Sequence, residues 1–197
     1  MAKGLPRQGD RDEHHAAVPY DRVPEFVLTL RASPNGESAR LAFEFLVLTA
    51  SRTGEVLGAR WAEVDLDGEV WTVPGERMKG GRAHRVPLAP RAVAILRRAE
   101  ELGDGSGYLV PGRAASKPLS NMVFLTALRR MGLAATAHGF RSSFRDWAAE
   151  RTGVPREVCE MALAHAVESR VEAAYRRGDL FEKRRALMAA WAAFVTS

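Results

Sequence analysis

VDLDGEVWTVPGERMKGGRAHRVPL, running from Val64 to Leu88, is the one stretch of this chain that reads as sheet. Val64 to Leu66 and Glu69 to Val73 have strand character. Asp67-Gly68 between them is a turn signal, since Asp bonds its own backbone and Gly accepts positive φ. His84 to Leu88 reads as a third strand. Met78-Lys79-Gly80-Gly81-Arg82 is a glycine-rich turn, which puts Lys79 at or near a hairpin tip. The expectation is one small three-stranded antiparallel sheet.

Outward from this sheet the patterns are helical. Upstream, Pro24 to Ala32 carries Pro near its first turn, and Glu37 to Ala50 places Leu41, Phe45 and Leu48 on one stripe. Thr53 is the expected N-cap of a further short helix. Downstream, helices are expected over Pro90–Leu102, Ser120–Met131, Ala137–Arg151, Pro155–Ala164, Glu168–Arg176 and Asp179–Val195, with Ser120, Thr136 and Asp179 as caps. Gly103 to Pro118 is loop-rich, with Tyr108-Leu109-Val110 a short extended piece. The fold class is α+β, mainly α: a helical domain carrying one small sheet. Residues 1–19 have almost no apolar periodicity and read as a flexible N-terminal linker or the remnant of one, leaving 20–197 as the domain. The adjacent His14-His15 reads as a solvated pair in a polar tail.

The 197 residues suit one domain, and 46% hydrophobic with 27% charged residues describes a chain able to bury a core. The net charge of +5 suits a phosphate-rich partner, and 25 of the 29 basic residues are Arg, whose planar fork grips phosphate bidentately. Base composition of the genome can produce the same bias. Cys159 is the only cysteine, so no intrachain disulfide forms, and its apolar helical setting reads as packing rather than as a nucleophile. The longest apolar stretch, Leu41 to Ala50, is interrupted by Glu44 and is too short to span a bilayer; no signal peptide follows Met1-Ala2-Lys3. A cytoplasmic protein is expected, and no Asp/Glu/His cluster suggests a metal.

Each candidate for chemistry has an ordinary alternative. His138-Gly139-Phe140-Arg141 opens a helix, so His138 and Arg141 share a face at an end that favours anions; the alternative is a solvated surface pair. His165 ends one helix and Tyr175 lies late on the next, yet a tyrosine there is usually half-buried core with a wet hydroxyl. Arg52 can simply be a capping or ion-pairing arginine beside Glu55.

In order, however, the chain gives Arg52 with Glu55, Lys79 in its hairpin, His138 with Arg141, His165, then Tyr175. This resembles the signature of the tyrosine recombinase, or phage integrase, family, in the type carried by prophages and genomic islands. The wording of Thr49–Gly58, His138–Phe144, Glu157–His165 and Ala173-Ala174-Tyr175 is similar too, as is the tail from Arg177 to Trp191. The resemblance runs from about Pro19 to the C-terminus. Ala164 stands where the family often has Gly, a small-for-small change expected to matter little.

The resemblance implies site-specific recombination, the integration or excision of a mobile element, through a 3′-phosphotyrosine intermediate. It implies Tyr175 as nucleophile, Arg52 and Arg141 on the phosphate, Lys79 as acid for the leaving oxygen, and His138 as base or orienter. It further implies His165 as a hydrogen-bond donor to the phosphate and Glu55 as a support. No cofactor or metal is implied. The partners are double-stranded DNA at attachment sites and further protomers in a tetramer, with no membrane; in a bacterium the protein is nucleoid-associated when bound. The family's core-binding and arm-binding domains have no counterpart in the first 20 residues. Two alternatives stay open: a type IB topoisomerase-like nicking and resealing enzyme, and a catalytically inert DNA-binding domain. Arg129, Arg130, Arg145 and Arg170 are possible phosphate contacts or merely solvated, and the last helix either packs on its own domain or docks on a neighbour.

Overall fold

The computed structural model describes residues 16–78, 80–112, 117–165 and 178–197. The chain is organised round the helix Glu37–Thr49 (α2), in which every residue from Ala42 to Thr49 is buried. A single stripe on Leu41, Phe45 and Leu48 is therefore too narrow a description: Leu41 is only partly buried, and the helix is covered on all sides as a central element must be. The helices Val23–Ala32 (α1) and Pro90–Glu101 (α4) lie against it. Glu44 is 2% exposed at that junction, where Arg31 of α1 and Arg91 of α4 each donate two hydrogen bonds to its carboxylate, at 2.6–3.1 Å. Burial pushes its pKa up, but the two guanidiniums together hold it below the ordinary value, so the charge stays and three helices are tied to one point.

The strands are Val64–Asp65 (β1), Val70–Val73 (β2) and His84–Pro87 (β3), antiparallel in the order β1-β2-β3. Val64 pairs with Trp71, and Val73 with His84. The strands are shorter than expected for a local reason. Asp65 Oδ1 accepts the Gly68 N–H at 2.8 Å, closing the turn before Leu66 can pair, and Glu69 has φ +53°, so β2 begins one residue later. Trp71, fully buried, packs on Phe45 at 5.4 Å between ring centroids and donates its indole N–H to Glu63 at 3.0 Å. The extended piece at Tyr108 pairs with Arg60, and the Leu109 N–H reaches the Ala59 carbonyl at 2.9 Å.

The remaining described α-helices are Thr53–Leu57 (α3), Val123–Arg130 (α5), Gly139–Arg151 (α6), Arg156–Ala162 (α7) and Phe181–Val195 (α8). Four caps differ from expectation, the first being Thr136, which accepts the Gly139 N–H at 3.1 Å but lies two residues before His138, the N-cap of α6. Arg52, not Thr53, is the N-cap of α3. Ser120 caps a turn by accepting the Met122 N–H, and α5 starts only at Val123. Asp179 leaves the α8 N–H groups alone because its carboxylate and carbonyl take the Arg184 guanidinium at 2.6 and 2.7 Å. The expected helix over Glu168–Arg176 lies outside the described residues. Helix α8 uses its apolar face on its own domain: Trp191 is fully buried against Phe144 and Trp147 and donates to the Val47 carbonyl at 2.8 Å. Among the described residues no helix is long and apolar enough to cross a membrane.

Candidate active site

Two helix ends and two helix starts meet at a single place. At the C-terminus of α2, Ala50 adopts φ +48° and turns the chain sharply into Ser51 and Arg52. Glu55, 5% exposed, accepts the Arg52 backbone N–H at 2.8 Å and its guanidinium at 2.7 Å, so one carboxylate both caps α3 and fixes the arginine. That leaves the Arg52 Nη2 to reach the Ala164 carbonyl at 3.4 Å.

Arg141 lies in the first turn of α6, whose entry is shaped by Thr136 accepting the Gly139 N–H at 3.1 Å. The Arg141 side chain is buried. It donates Nη1 to the Ala50 carbonyl and Nη2 to the Leu163 carbonyl, each at 2.5 Å, while among the described residues its Nε has no hydrogen-bond partner. Among the described residues no carboxylate bonds it. Burial, then the neighbouring Arg52 charge, push its pKa down to about 10. The adjacent carbonyls of Leu163 and Ala164 thus hold two guanidiniums side by side.

Helix α7 ends in a double hydrogen-bonded turn, with the His165 N–H on the Glu160 carbonyl at 2.9 Å and the Ala164 N–H on the Met161 carbonyl at 3.1 Å. This motif needs a left-handed residue, and Ala164 supplies it at φ +50°. Ala-for-Gly here is therefore not the neutral exchange it looks like in sequence. The turn aims His165 back at the arginines: Nε2 is 3.2 Å from Arg141 Nη2, and Nδ1 is 2.6 Å from Glu160 Oε2. Burial first, then Arg141 and Arg52, lower its pKa against the pull of Glu160.

Of the residues singled out by sequence, Arg52, Glu55, Arg141 and His165 are brought together, and His138 stands exposed as N-cap of α6, three residues before Arg141. Lys79 and Tyr175 lie outside the described residues, as does Arg170. Arg145 is ion-paired to Glu160 at 3.2 Å, and Arg130 donates to Asn35 at 3.3 Å. Cys159 is buried, and burial pushes its thiol up to about 11, which makes it a poor nucleophile.

Two residues of the site escaped the sequence reading. Glu160 is one; its signal was the five-residue spacing to His165, which a helix closed by such a turn brings face to face. His84 is the other. Strand alternation puts it on the side of buried Val86, and burial, Arg184 and Arg141 depress it to about 4 despite nearby Glu55.

Paired arginines, a carboxylate and a histidine are thus brought to one place by α2, α3, α6 and α7. Residues 18–180 match the profile of the Phage integrase family, and the chain belongs to that family. It is 36% identical over 178 residues to Prophage integrase IntA of Escherichia coli, covering 89% of this chain and 43% of that protein, so it spans less than half of that relative's length. Among solved structures the fold is similar to the integrase from mycobacterium phage Brujita, with a TM-score of 0.66 and 18% identity over 100% of this chain and 66% of that one. It is also similar to a lambda integrase tetramer bound to a Holliday junction, with a TM-score of 0.56 and 20% identity over 80% of this chain and 47% of that one.

Proposed function

We propose that this chain is the strand-cleaving domain of a site-specific tyrosine recombinase that integrates or excises a mobile element. The observation that carries the reading is the Arg52–Arg141 pair. Two guanidiniums lie side by side, one of them buried without a carboxylate partner among the described residues, both pinned by backbone carbonyls. Such a pair presents adjoining donors to an anion, and preorganised donors of this kind are what a phosphoryl transition state requires.

In the reaction the Tyr175 oxygen attacks the scissile phosphorus, forming the 3′-phosphotyrosine bond as the bond to the 5′-oxygen breaks. The tyrosine proton passes to His138, since a phenol with an ordinary pKa of about 10 is a poor nucleophile near neutrality. Lys79 gives its proton to the departing 5′-oxygen, which an arginine does not do. Arg52 and Arg141 neutralise the non-bridging oxygens and His165 donates a hydrogen bond to one of them. Glu55 holds Arg52. Attack of a 5′-hydroxyl on the phosphotyrosine reverses every step, so rejoining needs no nucleotide cofactor.

Residues 20–197 form the catalytic domain in this proposal, and residues 1–19 lead to core-binding and arm-binding domains. Double-stranded attachment-site DNA and three further protomers complete the assembly, and the protein is held at the nucleoid when bound. The lambda integrase tetramer on a Holliday junction, similar in fold, supports a multimer on DNA.

The test is a suicide DNA substrate, nicked beside the cleavage position and supplied with the core-binding domain. An adduct that survives SDS with the natural chain and is absent with Tyr175→Phe, at unchanged DNA binding, is expected. Failure to form an adduct on any attachment-type sequence would overturn the proposal.

A further inference from the structure

Glu160 stands behind the proposed phosphate site and meets it through His165. Its backbone carbonyl accepts the His165 N–H at 2.9 Å, and its Oε2 lies 2.6 Å from His165 Nδ1. Its other oxygen faces Arg145 of α6 at 3.2 Å and Arg156 of α7 at 3.7 Å, so the carboxylate is ionised and acts as an acceptor. A carboxylate at that distance places the ring proton on Nδ1. On the opposite edge, Arg141 Nη2 is 3.2 Å from Nε2 and can only donate, so it wants a bare nitrogen there. Both neighbours therefore favour the same tautomer.

We infer that Glu160 is a positioning residue for strand cleavage: it fixes His165 with its proton on Nδ1, so that Nε2 donates to a DNA phosphate only when the imidazole is charged, and it sustains that charge beside two arginines. The inference rests on the phosphate-binding reading of the site. Among the described residues the charged groups facing the ring are Glu160 from α7, Arg141 from α6 and Arg52 from the start of α3. Without the carboxylate the two arginines stand unopposed, and the cation becomes harder to form. The neutral ring, meanwhile, accepts from Arg141 and holds the empty site together; an arriving phosphate takes over the Arg141 donor and favours protonation of Nε2.

Two measurements test this. Nitrogen-15 NMR of histidine-labelled chain, without DNA, is expected to show neutral His165 protonated on Nδ1; a proton on Nε2 would overturn the inference. In Glu160→Gln, which keeps the shape and loses the charge, the His165 titration should move down by about one pH unit or more. On the suicide substrate, the rate of adduct formation should fall about tenfold per pH unit above the His165 midpoint in the natural chain. In Glu160→Gln that limb should shift to lower pH with the NMR midpoint, giving a larger loss at pH 8 than at pH 6. An equal loss at every pH, or an unmoved limb, would reduce Glu160 to a structural contact. If the natural chain forms no adduct at all, the recombinase reading fails while the NMR arm still decides the placement of the proton.

Discussion

Ala164 occupies a backbone position that favours glycine, and changing it gives a signed prediction at the heart of the site. A non-glycine residue in the left-handed region costs about 1–2 kcal/mol. Ala164→Gly removes that cost, but the unfolded chain gains freedom worth about 0.4–1 kcal/mol. Loss of a partly buried methyl subtracts a few tenths more, at roughly 25 cal/mol per Å². The expected net gain is about 0.5 kcal/mol, which for a chain of this size raises the melting temperature by roughly 1–2 °C. Ala164→Val should do the opposite. A β-branched side chain at φ +50° adds strain on the order of 1–3 kcal/mol and disturbs the carbonyls that hold Arg52 and Arg141. Scanning calorimetry of the three proteins at neutral pH orders them Gly, Ala, Val. A glycine variant that melts below the natural chain, or a valine variant that matches it, would refute the strain argument.

Three further outcomes follow from contacts already described. His84 has its folded pKa lowered from 6.5 to about 4, so its contribution to stability is complete above pH 6.5 and is lost as pH falls toward 4, to a limit of about 3 kcal/mol; denaturant titrations from pH 7 to 4 should show His84→Gln losing less stability than the natural chain by that order. At Gly139 an added Cβ would meet the Ala16 carbonyl at 2.5 Å and the Ala17 Cα at 2.8 Å, both backbone, so Gly139→Ala should destabilise by roughly 1–3 kcal/mol in urea and speed hydrogen exchange at Thr136, whose N–H bonds Ala16. Arg141→Lys leaves one ammonium to replace a fork that spans two carbonyls, and single-turnover adduct formation should slow by about 10²–10³.

Local chemistry made much of this molecule readable before its structure. Asp67-Gly68 and the glycines after Lys79 marked the hairpins, and apolar spacing marked the helices. The site residues could be put in order because each sits in a short segment with its own wording. Long-range partners were hidden. Nothing near Arg141 in sequence says that its guanidinium will close on the Ala50 carbonyl, 91 residues away. Glu44 looked like an interruption in an apolar run, yet it is the charge on which α1, α2 and α4 converge. The caps failed for a related reason: Asp179 is a good cap by type, but Arg184 claims its oxygens first, and Glu55 serves the Arg52 N–H whatever residue occupies the cap. Ala164 shows the remaining gap, since residue size can be read from a sequence while the sign of φ cannot.

In the proposed reaction this domain joins itself to DNA through one tyrosine. The direct measurement is mass spectrometry of the denatured, nuclease-trimmed and protease-digested adduct from the suicide substrate. A single peptide carrying a 3′-linked nucleotide phosphate on Tyr175 is expected. The same modification on Tyr20, Tyr108 or a serine, or an unmodified Tyr175 in a cleaved complex, would contradict it.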